Sequence, residues 1–187
     1  MRIVLMGPPG AGKGTQAVSL ANQLGIAHIS TGDIFRSNVS DKTELGLLAK
    51  KYMDAGEYVP DSVTNEMVKY RLAEPDVQHG FLLDGYPRTV AQVAELDVIL
   101  SKLGAQVDLV IELTVDIDEV VKRLVQRSLQ QGRSDDSEEV IRRRLEVYQE
   151  QTAPLLAAYR ARGVLKSVSG MGEIEQVRER LAQLVAS

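Results

Sequence analysis

The sequence predicts a mostly parallel α/β sheet wrapped by helices on both faces, and three observations predict it. Ile3-Val4-Leu5 and Phe81-Leu82-Leu83 are compact apolar runs of the kind that reads as strands buried on both sides, and Val107–Leu113 reads as a further strand. They alternate with longer stretches of roughly 3.6-residue apolar period, the βαβ signature of a parallel sheet. The first two runs end in turns that carry chemistry, at Gly7 and at Asp84, and open sheets bind ligands beyond the carboxyl ends of their strands.

Composition narrows the class. With 187 residues, 44% of them hydrophobic, the chain can bury one main core with small insertions. A net charge of −4 argues against a nucleic-acid-binding surface, although basic residues can still gather in one cleft. The absence of cysteine excludes disulfides and thiolate metal sites. Met1-Arg2 leads directly into a strand without a secretory signal pattern, and no apolar run approaches the ~20 residues that span a bilayer. A cytoplasmic protein with no membrane partner is expected.

The first strand runs into Met6-Gly7-Pro8-Pro9-Gly10-Ala11-Gly12-Lys13-Gly14-Thr15, which reads as a phosphate cradle. Its glycines let successive N–H groups converge on an anion at a helix N-terminus, with Lys13 reaching toward β- and γ-phosphates. The spacing fits G-x-x-x-x-G-K-[ST] except at the last place, where Gly14 stands and the hydroxyl follows as Thr15. Lys13 to Leu24 is the first helix, stopped by Gly25. Residues 26–29 make a second strand, and His28 is expected at its surface end. Ser30-Thr31-Gly32-Asp33 offers helix caps.

Two short helices are expected between Asp33 and Asp54, with a capping-box signal at Asp41-Lys42-Thr43-Glu44. Gly56 and Pro60 bracket an extended link at Glu57-Tyr58-Val59, and a further helix runs from Asp61 to about Ala73. Segment 30–59 therefore looks like a helical insertion. Helices follow over Val90–Leu103, Ile117–Leu129, Ser137–Arg162 and Ile174–Val185, with strands over Val107–Leu113 and Val164–Val168.

A phosphate loop, an acid at a strand end and many arginines imply work on a nucleoside triphosphate. Asp84 suits the acid that organises Mg²⁺ through coordinated waters, and Thr15 can lie near the same ion or bind phosphate oxygens. Arg36, Arg88, Arg123, Arg127, Arg133 and Arg144 are candidate phosphate ligands, since phosphoryl transfer depends on positioning and charge neutralisation. Arg123 and Arg127 share one helix face at i, i+4. The polar loop around Arg133 suits a lid that closes over bound phosphates. With two histidines in the chain, no Ser-His-acid or histidine-metal arrangement is visible; an acceptor that is itself an ionised phosphate needs no base.

At this point the chain resembles the adenylate kinase family, a short-lid type of nucleoside monophosphate kinase, over essentially its whole length. The resemblance rests on residues 7–15 including Gly14, on Ser30-Thr31-Gly32-Asp33, on Leu83-Asp84-Gly85-Tyr86-Pro87-Arg88 and on Thr152-Ala153-Pro154-Leu155. It implies a P-loop NTPase-like fold and transfer of the terminal phosphoryl group of Mg-ATP to AMP, giving two ADP and serving adenine nucleotide homeostasis. It implies a core of residues 1–29, 60–125 and 137–187, an NMP-binding domain at 30–59 and a short lid at 126–136.

The resemblance also assigns sites. ATP would meet Gly10, Ala11, Gly12, Lys13, Gly14, Thr15 and Arg127, with the Gly172 backbone at its adenine and Arg123 beside it. AMP would meet Thr31, Arg36, Arg88 and Gln92, with the backbone around Glu57, Tyr58, Val59, Gly85, Tyr86 and Pro87. Arg133 and Arg144 would hold phosphates at the junction of the two nucleotides. A monomer is implied, and the short lid rules out a zinc-stabilised one. Thr31 and Gln92 suit adenine, whereas a UMP/CMP kinase of the same architecture should differ at both positions. A GTP- or ATP-dependent P-loop switch module would share the loop, but neither Asn/Thr-Lys-x-Asp nor Asp-x-x-Gly is present.

Overall fold

A computed structural model describes the fold of residues 1–131 and 137–186. Strands β1 (Arg2–Met6), β2 (Ala27–Ser30), β3 (Phe81–Asp84), β4 (Leu109–Thr114) and β5 (Leu165–Ser169) form one sheet in the order β2-β3-β1-β4-β5. Each neighbouring pair is parallel, so all carboxyl ends lie along one edge.

The helices are α1 (Lys13–Leu24), α2 (Thr31–Ser40), α3 (Glu44–Asp54), α4 (Asp61–Arg71), α5 (Val90–Lys102), α6 (Ile117–Gln131), α7 (Glu138–Val147), α8 (Ala153–Ala161) and α9 (Ile174–Ala186). Alternation along β1 divides the core in two. Val4 and Met6 pack with Leu83, Val68, Leu96, Leu100, Leu155 and Tyr159, which come from β3, α4, α5 and α8. Ile3 and Leu5 pack on the opposite face with Leu20, Ala21, Val177 and Leu181 of α1 and α9. Because both faces are covered, the central strands carry unbroken apolar runs.

Local signals set several boundaries where expected. Gly25, at φ 63°, ends α1 in the left-handed conformation. Ser30 caps α2 by accepting from the Asp33 N–H at 3.2 Å, and Thr43 caps α3 by accepting from the Gly46 N–H at 3.0 Å. The capping box expected at Asp41-Lys42-Thr43-Glu44 does not form: Asp41 ends α2, Thr43 is the N-cap of α3, and Glu44 is its first residue, too near the cap to return the bond. Phe35, Ala49 and Val59 give segment 30–59 a small core, completed by Val63 and Met67 of α4.

Two further expectations fail. The helix expected over 137–162 is broken by a π-type turn at Tyr148–Thr152. Pro154 explains the break, since it has no N–H for the carbonyl four residues back and its ring crowds that turn. His28 lies within β2, half-buried with Nε2 shielded from solvent, instead of at an exposed strand end.

Leu83 is fully buried in the layer beneath α4 and α5. Leu83→Ala is expected to lower unfolding free energy by about 2–5 kcal/mol in urea denaturation. A loss below ~1 kcal/mol would show that this layer is not tightly packed.

Candidate functional site

The loop after β1 is shaped by close approaches to neighbouring elements. Gly7, Gly10 and Gly12 all have positive φ. A Cβ on Gly7 would lie 2.8 Å from the Leu113 carbonyl oxygen, and one on Gly10 would lie 2.9 Å from Leu124 and 3.0 Å from the Val120 carbonyl oxygen. The loop therefore presses against the end of β4 and against α6. Gly12 is the N-cap of α1 and offers it no side-chain cap, which leaves the first-turn amides for an anion.

Lys13 folds back over this loop, its Nζ donating to the Gly7 and Pro8 carbonyls at 2.7 and 2.9 Å. Burial pushes its pKa down to about 8; Asp84 opposes the shift, while Arg88, Arg144 and Arg127 add to it. Asp84 ends β3 beside Leu5 of β1 and is 8% exposed. Its Oδ2 lies 3.7 Å from where a Cβ on Gly14 would stand, so the carboxylate faces the start of α1, where Thr15 is exposed.

A cleft opens from the loop toward the insertion, and it brings together Lys13, Thr31, Arg36, residues 57–59, residues 85–88, Gln92 and Arg144. Thr31 Oγ1 and Arg88 Nε both donate to the Gly85 carbonyl, at 3.0 and 2.7 Å. The Arg88 guanidinium lies 4.9 Å from the Tyr58 ring centroid, a cation–π contact. Arg36 pairs with Asp33. Glu57 accepts from Arg143 Nε at 2.6 Å, so its side chain is engaged with α7. Val59 and Tyr86 are core residues that also border the cleft, and the Tyr86–Pro87 peptide is cis.

On the other side of the phosphate loop, Gly172 sits at φ 98° in the turn between β5 and α9. That turn is fastened from three elements. Arg123 of α6 donates to the Gly170 carbonyl at 3.0 Å, while its Nε pairs with Glu119. Arg180 of α9 donates to the Ser169 and Met171 carbonyls, and Gln16 of α1 donates to the Ile174 carbonyl. Arg133 lies outside the described residues, as do the other residues of 132–136 in the segment read as a lid.

Sequence reasoning missed several residues of the cleft. Phe35, Met53, Thr64 and Tyr148 line it but look like ordinary core positions in a periodic pattern. Thr152 carried a signal, as the first residue of the Thr-Ala-Pro-Leu motif. Its Oγ1 donates to the Arg88 carbonyl at 2.9 Å and lies 2.8 Å from the Tyr58 hydroxyl. Since the threonine proton goes to Arg88, the Tyr58 hydroxyl donates to Thr152. Asp61, which touches Gln92 and Thr89, carried none beyond helix capping.

A parallel sheet of this order with a glycine-rich loop after its central strand places the chain among the P-loop α/β proteins. The family model described as adenylate kinase matches residues 5–164. Similar proteins named adenylate kinase include one from Kocuria rhizophila, 59% identical over 96% of this chain and 96% of its own length, and one from Nocardioides sp., 58% identical over 98% and 96%. Another, from Thermobifida fusca, is 57% identical over 96% and 95%. The chain belongs to the adenylate kinase family.

The depressed pKa of Lys13 has a measurable consequence. Between about 8 and the unfolded value of 10.5 the unfolded chain holds the extra proton, so this group's contribution to stability rises with pH across that window. A bound polyphosphate reverses the cause by adding negative charge beside the ammonium. Calorimetry of inorganic triphosphate binding at pH ~8.5, in buffers of different ionisation enthalpy, should show more proton uptake, or less release, than in Lys13→Met. The same proton linkage in the two proteins would contradict it.

Proposed function

We propose that this protein is an ATP:AMP phosphotransferase, converting Mg-ATP and AMP reversibly into two ADP and so balancing the adenine nucleotides. Relatives named adenylate kinase, similar over nearly their full length, support the reading. The observation that carries it is the cleft that gathers Lys13, Arg88 and Arg144 beyond the end of β1, with Arg127 near enough for its charge to act on the Lys13 ammonium. Transfer between two anions is slow unless their mutual repulsion is offset, and fixed cations in a low-dielectric cleft offset it without reorganising.

In this reading the backbone of Gly10–Thr15 and the Lys13 ammonium hold the ATP phosphates, with Arg127 alongside. The Gly172 backbone meets the ATP adenine, in a turn braced by Arg123. Thr31, Arg36, Arg88 and Gln92, with the backbone of 57–59 and 85–87, hold AMP. Arg144 and Arg133 lie at the phosphates that exchange. An AMP phosphate is already ionised at neutral pH, so the acceptor needs no base; what the chain supplies is alignment.

Asp84 fits a hard cation: it is a nearly buried oxygen donor facing the start of α1, where Mg²⁺ with several retained waters could be met. With Thr15 it would hold the ion through those waters. When bound, Mg²⁺ supplies neutralising charge to the β- and γ-oxygens. No zinc is invoked.

The small core within 30–59 supports its reading as an NMP-binding domain that moves on a core of 1–29, 60–125 and 137–187, with 126–136 as the lid. A cytoplasmic monomer is part of the same proposal. Among the described residues no helix is long and apolar enough to cross a membrane.

Coupled turnover of the purified protein with Mg-ATP and each of AMP, GMP, UMP and CMP tests the assignment. AMP should be the favoured acceptor, and Arg88→Ala should reduce kcat by about 10²–10³-fold. Preference for UMP or CMP would move the protein to the pyrimidine kinases. Nucleotide binding without transfer to any monophosphate would indicate a switch module.

A further inference from the structure

The amide of Gln92 is locked in one orientation. Gln92 is 2% exposed, and each end of its amide already has one partner: Oε1 accepts from the Arg88 backbone N–H at 2.7 Å, and Nε2 donates to Asp61 Oδ1 at 2.7 Å. Neither partner can exchange roles, because a peptide N–H only donates and a carboxylate only accepts. The oxygen and nitrogen ends of the amide are therefore distinguished by chemistry as well as by position.

Asp61 is itself held for this task. It is the first residue of α4, and its two carboxylate oxygens each take one donor from the start of α5, Gln92 Nε2 on Oδ1 and Thr89 Oγ1 on Oδ2 at 2.8 Å. Thr89 in turn caps α5 by accepting from the Gln92 N–H at 3.2 Å. The carboxylate thus cannot turn away from Gln92 without also leaving Thr89.

Each end of the Gln92 amide keeps one further hydrogen-bonding position, a lone pair on Oε1 and an N–H on Nε2. Gln92 lines the same cleft as Thr31, Val59 and Arg88. A 6-aminopurine presents an amino donor and an adjacent ring-nitrogen acceptor, which complement that acceptor and donor. A 6-oxopurine presents the reverse: a carbonyl acceptor and a ring N–H. An unconstrained glutamine would flip to meet either edge. Here a flip would set Oε1 against the Asp61 carboxylate and Nε2 against the Arg88 N–H, two repulsive contacts in a buried place.

We infer that Asp61 is a specificity-determining residue: by fixing the orientation of the Gln92 amide it makes the monophosphate pocket accept 6-amino and reject 6-oxo purines. This rests on the reading above that Gln92 meets the base of AMP. Selectivity then lies in the repulsion that a wrong edge would force, beyond what the amide itself can recognise.

The test is kcat/KM with AMP and with IMP, using Mg-ATP as donor, for the unmodified protein, Asp61→Asn, Asp61→Ala and Gln92→Leu. The AMP/IMP ratio within one preparation cancels the fraction of folded enzyme, so a purely structural loss leaves it unmoved. Both Asp61 variants should lower the ratio by about tenfold or more, largely through a gain with IMP relative to AMP. A ratio unchanged in the Asp61 variants but lowered in Gln92→Leu would overturn the lock while keeping Gln92 at the base. A ratio unchanged in all three variants would overturn the placement of Gln92 at the base as well.

Discussion

The cleft depends on positive charge held together at the end of β1. Lys13 leans on the carbonyls of its own loop, and the charges of Arg88, Arg144 and Arg127 reach it there, so burial and like charge together disfavour its ammonium. Asp84 opposes this from the next strand. Such an arrangement costs stability in the unliganded protein and becomes favourable when a polyanion arrives. The parallel sheet makes it attainable, because strands that all end on one edge bring residues of separate βα units to one place.

The same logic runs through the supports around those cations. Arg88 is engaged by a guanidinium bond to the Gly85 carbonyl, by the face of Tyr58, and through its own carbonyl by Thr152. Thr152 sits at the end of the π-type turn, a geometry that follows from Pro154 two residues on. One buried hydroxyl thereby joins the insertion, through Tyr58, to the helices that follow α7. On the far side, Gln16, Arg123 and Arg180 brace the turn that carries Gly172. The cleft and this turn are built alike, with carbonyls pinned by side chains from other elements.

Much of this was legible in the chain. The start and stop of α1 are written in Lys13 and Gly25, and the caps Ser30 and Thr43 act across three residues. These are local interactions, decided by residues close in sequence. The expected continuous helix over 137–162 overlooked that Pro154 affects the turn before it. His28 was placed at the surface because a strand's end and its half-covered interior look alike in a short apolar run. The partnership of Asp61 with Gln92 spans 31 positions, and that of Tyr58 with Thr152 spans 94, so no periodicity announces either.

By itself the sequence determined the class of sheet, the phosphate loop, the acid after β3 and the supply of arginines, because spacing, capping and apolar period act at short range. The tertiary structure decided which of these side chains face one another. It set Gly7 and Gly10 against β4 and α6, turned Arg123 toward the Gly170 carbonyl, and gave Gln92 a carboxylate on one side and a peptide N–H on the other. Those choices follow from packing elements distant in the chain, where a hydrogen bond's direction depends on which donor and which acceptor the fold brings within about 3 Å.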